Sequence, residues 1–180
     1  QDAMIVLFIN ANPNIAYCAC YVLVQLYESK EIATKLSKKF TDKESLDSCF
    51  NFLCNGSSTQ YKVCSSELLC ICAASVPACA EYLVQKIFSS LASDIAYNGF
   101  IGITRFIVML AINVPLMSEL LIYGKVEQFL FEGLYQATRQ SKVEDSVEAV
   151  KEMCKTLRQL LLKFHNNHHH LKQGVVSVLG

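Results

Sequence analysis

Four histidines and nine cysteines are the residues of this 180-residue chain best suited to binding a metal or attacking a substrate. The histidines cluster as His165-Asn166-Asn167-His168-His169-His170. Neutral imidazoles are common ligands for zinc, nickel or copper, and His165 and His169, four apart, would share one helical face. A metal-bound imidazole normally passes its second N–H to a carboxylate or carbonyl, yet no acidic residue stands close by. Asn166-Asn167 reads as a turn-like pair, so the run is expected to form a polar loop between helices and not a metal site. Cys18-x-Cys20 and Cys70-x-Cys72 are spaced more tightly than the usual zinc-ligand pair. A nucleophilic cysteine wants a cationic or helix-start setting with a base at hand, and the histidines all lie at the far end of the chain.

No glycine-rich phosphate loop, H-E-x-x-H or G-x-S-x-G occurs. Carboxylates such as Glu144, Asp145 and Glu148 fall on a polar helix face, where solvation accounts for them. The sequence therefore reads as no enzyme, with no cofactor, no metal and no small-molecule substrate.

Composition points to a folded core: 52% of residues are hydrophobic and 18% charged, ample apolar surface to offset chain entropy. One domain over residues 1–180 is the expectation for this length. Sixteen basic residues balance sixteen acidic ones, so no overall field attracts nucleic acid or anionic membranes. Lys35, Lys38 and Lys39 form a local basic patch that keeps a nucleic-acid-binding array as a minor alternative. Cysteines set among apolar neighbours, as in Leu69-Cys70-Ile71-Cys72-Ala73, read as small core hydrophobes held reduced inside the cell, in cytoplasm or nucleus. Gly99 to Met117 is a nearly continuous apolar stretch about as long as a bilayer-spanning helix, but Arg105 inside it and Pro115 near its end argue against that. The chain starts at Gln1 and ends in the apolar run Val175 to Leu179, and it reads as a fragment of a longer protein.

What must position any site is helix. Strand and hairpin signals are nearly absent. Asn12-Pro13 supplies a cap and a first-turn proline before Ile15, Cys18, Ala19, Val22, Leu23 and Leu26. Further helices are expected from Thr41-Asp42 to Asn55, from Thr59 to Ala74, from Pro77 to Ile95, up to Asn113 after an Asn98-Gly99 break, from Pro115, and from Val126. In the last, Ser141 to Phe164, Val143, Val147, Val150, Cys154, Leu157 and Leu161 make an apolar stripe, with Glu144, Asp145, Glu148, Lys151, Glu152 and Lys155 mostly on the solvent side.

An internal echo suggests the architecture. Ala111 to Leu121 lies over Ala73 to Leu83 at an offset of 38 residues, sharing Val-Pro, a Glu and a closing Leu. Gly102, Cys64 and Cys18 fall into the same register, as do Ile107, Leu69 and Leu23, and a fourth unit would put Leu161 and Phe164 where Leu23 and Leu26 stand. Such spacing suits armadillo and HEAT arrays. Asn12-Pro13-Asn14-Ile15-Ala16-Tyr17-Cys18-Ala19-Cys20-Tyr21-Val22-Leu23-Val24-Gln25-Leu26 resembles the linker and second-helix signature of the armadillo family, and Ile5 to Asn10 resembles the end of its third helix. The resemblance implies an all-α, armadillo-like right-handed superhelix, an α-solenoid of three to four repeats.

It also implies a protein-binding scaffold or adaptor gripping a peptide or partner helix on a concave face. The lining helices would be Asp2 to Asn10, Glu44 to Asn55, Lys86 to Ile95 and Lys125 to Ala137. Asn51, Asn55, Ser90, Asp94, Gln128 and Glu132 are the polar residues expected to contact the partner. Only Asn51 looks like a rung of the family's asparagine ladder. Exposed aromatics such as Phe131 and Tyr135 suggest the alternative of a dimerisation or assembly module.

Overall fold

The computed structural model describes residues 12–27, 42–55, 59–139 and 142–179. Among these residues the chain is all-helical: α1 Pro13–Tyr27, α2 Lys43–Asn55, α3 Thr59–Ser75, α4 Pro77–Leu91, α5 Tyr97–Asn113, α6 Pro115–Tyr123, α7 Val126–Thr138 and α8 Val143–Leu179. Asp2 to Asn10 and the lysines at 35, 38 and 39 lie outside the described residues.

Local chemistry explains the helix starts. Asn12 Oδ1 accepts the Asn14 N–H at 3.0 Å, and Asp42 accepts both the Ser45 N–H at 2.9 Å and its hydroxyl at 2.7 Å, so side chains satisfy donors that the first turn leaves over. Pro77 and Pro115 occupy first helical positions, where a missing N–H costs nothing. The stretches around them are locally alike. α3 and α5 have the same length and the same 38-residue displacement. Val76 and Val114 each donate to the carbonyl four residues back, and each accepts from the residue three ahead. Leu69 and Ile107, Ala73 and Ala111, and Leu83 and Leu121 are buried at corresponding positions. The first unit of the echo is looser, since Cys18 is exposed where Cys64 and Gly102 are buried.

Two helix boundaries differ from expectation. α4 stops at Leu91, four residues short of Ile95. Serine hydroxyls compete there for helix carbonyls: Ser93 Oγ donates to Ser90 O at 2.8 Å and Ser89 Oγ to Lys86 O at 3.1 Å. Asn98 and Gly99 do not break the chain but sit in the first turn of α5, Gly99 buried, and the actual break is 92–96. The run 165–170 is likewise no loop, because α8 continues through it to Leu179.

The chain divides between Leu83 and Val84 into two compact units. In the first, α3 packs on both α1 and α2 around Leu23, Leu46, Leu53, Leu68 and Leu69, all fully buried. Tyr82 donates its hydroxyl to Asp47 at 2.6 Å, with the Lys43 ammonium over its ring. In the second, α5 packs on α6, α7 and α8, and α8 touches all three of the others. Phe100, Phe106, Leu110, Met117 and Leu130 form its centre. Between α6 and α7 the left-handed residue is Lys125 (φ 58°), not the preceding Gly124 (φ −75°). Gly124 is needed for space: a Cβ there would stand 2.5 Å from the Phe88 ring, which stacks on Phe129 at 4.5 Å.

No helix among the described residues is long and apolar enough to cross a membrane.

Candidate interaction surface

The face that α8 turns inward is not its greasiest one. Ala149, Glu152, Met153, Thr156 and Leu160 are buried, while Val143 (77% exposed), Val147, Val150, Cys154 and Leu161 (60%) lie open and Leu157 half-open. The apolar stripe expected to meet the core therefore faces away from it, and a fourth repeat unit with Leu161 in the role of the fully buried Leu23 does not match the burial.

Polar anchoring and small size explain this setting. Arg105 Nε, on α5, donates to Glu152 Oε2 at 3.4 Å, and Lys155 Nζ lies 3.8 Å from the other carboxylate oxygen. The buried Thr156 hydroxyl has two carbonyls in reach, Glu152 O at 2.8 Å and, across the helix pair, Thr104 O at 3.2 Å. Ala149 and Thr156 on α8 are small buried residues, and Thr156 meets α5 directly through its hydrogen bond to Thr104. Higher up, Phe164 meets Tyr123 of α6 edge-on at 5.8 Å. The Tyr97 hydroxyl is pushed upward in pKa by burial first, then by the carboxylates of Asp145 and Glu148, which places the acidic start of α8 beside the start of α5.

What remains outside is an apolar seam with a charged flank. Glu144 is exposed, with Asp145 and Glu148 half-exposed, and these are followed by exposed Lys151, Lys155 and Arg158 and half-exposed Lys163. Chemically this surface can pack against another amphipathic helix. The missed signal was in the spacing. Val143, Val147, Val150, Cys154, Leu157, Leu161 and Phe164 alternate four and three residues apart, the narrow stripe of a coiled-coil seam and not the broad face of a core-packed helix.

The six residues expected to grip a partner are distributed as follows. Asn51 and Asn55 are exposed one turn apart on α2, in the first unit. The other four belong to the second. Ser90 is half-buried near the end of α4, its carbonyl taken by Ser93, and Asp94 is exposed in the connection that follows. Gln128 and Glu132 share the exposed face of α7 with Phe131 and Tyr135, and Glu132 accepts from Gln136 Nε2 at 2.8 Å.

No family model, curated protein or solved structure matches the chain. The armadillo resemblance thus rests on the pattern of residues alone.

Among the described residues, no three His, Cys, Asp or Glu side chains come together to hold a metal. The side chains of His168, His169 and His170 lie outside them. The nine cysteines are present as thiols, six of them buried. Burial pushes Cys64 up to about 11 and Cys70 to about 12, with Cys20 adding to the first and Glu67 to both. It also raises Cys49 well above its ordinary value, with Cys20 as hydrogen-bonding neighbour. Such thiols are held protonated and are poor nucleophiles.

Proposed function

We propose that this chain is a protein-interaction domain that holds a partner helix along the outward seam of α8, and that it carries no catalysis. The observation behind this reading is the exposure of Val143, Val147, Val150, Cys154 and Leu161 on a helix whose opposite face is already committed to its own unit. Contiguous exposed apolar surface with a polar border marks binding sites on soluble proteins. Thiol cysteines in this number support a reducing intracellular setting, cytoplasmic or nuclear.

The helical-repeat reading belongs to the same proposal. Its support is the local likeness of α3 and α5 with their Val-Pro exits, and it offers further contact residues on each unit, Asn51 and Asn55 on the first and Ser90, Asp94, Gln128 and Glu132 on the second.

A photo-crosslinking residue placed at position 147, 154, 51 or 128 of the full chain, activated in cells, separates the seam from these residues. Crosslinks at 147 and 154 into a helical segment of a polypeptide are expected. Crosslinks at 51 or 128 alone would shift the contact to α2 or α7, and none at any position would end the interaction reading.

A further inference from the structure

The seam on α8 carries more information than its greasiness, because its charges are ordered along it. We infer that the occupant of this seam is the seam of a second copy of the chain, running antiparallel; the inference rests on the binding role given to α8 above.

Three observations lead there. The first is register. With Val147, Cys154 and Leu161 in one row and Val143, Val150 and Leu157 in the other, the seam has the 3.5-residue period that keeps two helices in contact over many turns. In the sequence the same alternation runs on through His168, Leu171, Val175 and Val178.

The second is which flank is free. A parallel pair of helices sets one flank of each strand against the opposite flank of its mate, so both flanks must be open. In α8 one flank holds Met153 and Leu160, and both are buried in the helix's own unit. The other flank, with Glu144, Lys151 and Arg158, is exposed. Antiparallel pairing sets like flank against like, and only that arrangement uses the flank this chain leaves available.

The third is charge. Placing Val143, Val147 and Val150 of one copy opposite Leu161, Leu157 and Cys154 of the other brings Glu144 to Arg158 on both sides of the two-fold axis. Glu148 and Lys155, further round, come into the same register. Only Lys151 meets its own counterpart. The helix macrodipole does not account for this order, because its influence is spent within about one turn of each end, whereas Lys151 to Lys163 lie in the middle of a 37-residue helix. A two-fold interface of this kind is self-complementary.

The test is sedimentation equilibrium on the full chain. Wild type is expected to dimerise at micromolar concentration. E144K and R158E each turn two attractive contacts into repulsive ones, and each should weaken the dimer by about tenfold. E144K/R158E exchanges the charges and should recover wild-type affinity; failure to recover would overturn the charge register. Orientation is read by oxidation in a C18S background, which removes the other exposed thiol. Helix axes about 8–10 Å apart bring facing Cα atoms to about 5–6 Å, within the roughly 7 Å a disulfide can bridge. Antiparallel pairing offsets the two Cys154 residues by a further ~6 Å along the axis, to about 8 Å apart, whereas position 150 faces Cys154 of the other copy directly. Crosslinked dimer should therefore appear in V150C and not in the parent. Dimer crosslinked through Cys154 in the parent would mean parallel pairing and overturn the inference. A folded wild type that stays monomeric would also overturn it; crosslinking from position 147 into a different protein would then leave the binding role of α8 standing.

Discussion

Leu160 and Leu161 are chemically identical neighbours that the structure treats oppositely, and truncating each in turn measures the rotational setting of α8. Leu160 is 1% exposed and Leu161 60% exposed. Removing a fully buried leucine side chain forfeits its transfer free energy and leaves a cavity, so L160A should cost about 2–4 kcal/mol. Complete burial of a leucine is worth about 1.5–3 kcal/mol, and the two-fifths of Leu161 that is covered gives roughly 1 kcal/mol as the ceiling for L161A. The difference, at least about 1 kcal/mol, is read as a shift of the urea midpoint at unchanged m, which avoids the error of extrapolating to water. Urea unfolding followed by far-ultraviolet circular dichroism suits a chain with no tryptophan. It should be run in the E144K background and at two protein concentrations, so that association adds nothing to the midpoint. A helix rolled by one residue, about 100°, would exchange the two values. L161A more damaging than L160A at unchanged m would therefore refute the account of the seam.

Other outcomes follow from the same packing. G124A should lose about 1–2 kcal/mol by urea unfolding, because its Cβ displaces the Phe88 ring from its stack on Phe129. The half-buried ring can swing partly aside, so F88A combined with G124A should cost less than the two single changes together. R105A should cost about 1 kcal/mol, since it leaves the buried Glu152 carboxylate with Lys155 alone, while the arginine's own exposure limits the loss. Alkylation of native protein at pH 8, read by mass spectrometry, should modify Cys18 and Cys154 well before Cys64 and Cys70. Stability should fall as pH rises above about 9. Burial holds Cys64, Cys70 and Tyr82 up to about 11, 12 and 12 when folded, against ordinary values of 9, 9 and 10, so the unfolded chain releases protons first and gains on the folded one as pH rises. A melting temperature unchanged to pH 11 would contradict this.

Much of the helical framework could be read from single residues. Asn12, Asp42, Pro77 and Pro115 announce helix starts because each solves a local hydrogen-bonding problem within a few positions of itself. Burial of α5 was equally plain, since almost every residue from Phe100 to Ala111 is apolar. What escaped reading depended on longer reach. Asn166-Asn167 looked like a turn, but two weak helix formers do not stop a helix already propagating over six turns. The orientation of α8 escaped because an apolar stripe says which residues prefer shelter and not which shelter is nearest. Its sheltered side is held by Arg105 and Thr104, about fifty positions earlier. The need for glycine at Gly124 is set by Phe88, a contact no local pattern records.

The carboxylate of Glu152 and the hydroxyl of Thr156 give the underside of α8 something that aliphatic packing alone would lack. An oily underside tolerates sliding by a turn or rolling by a few tens of degrees, since one methyl group replaces another at little penalty. A carboxylate that must meet one guanidinium, and a hydroxyl that must meet one carbonyl, admit a single azimuth. They act as the key in a shaft: whatever mates with the exposed ridge meets it always at the same angle, so the partner need not select among orientations before it can dock.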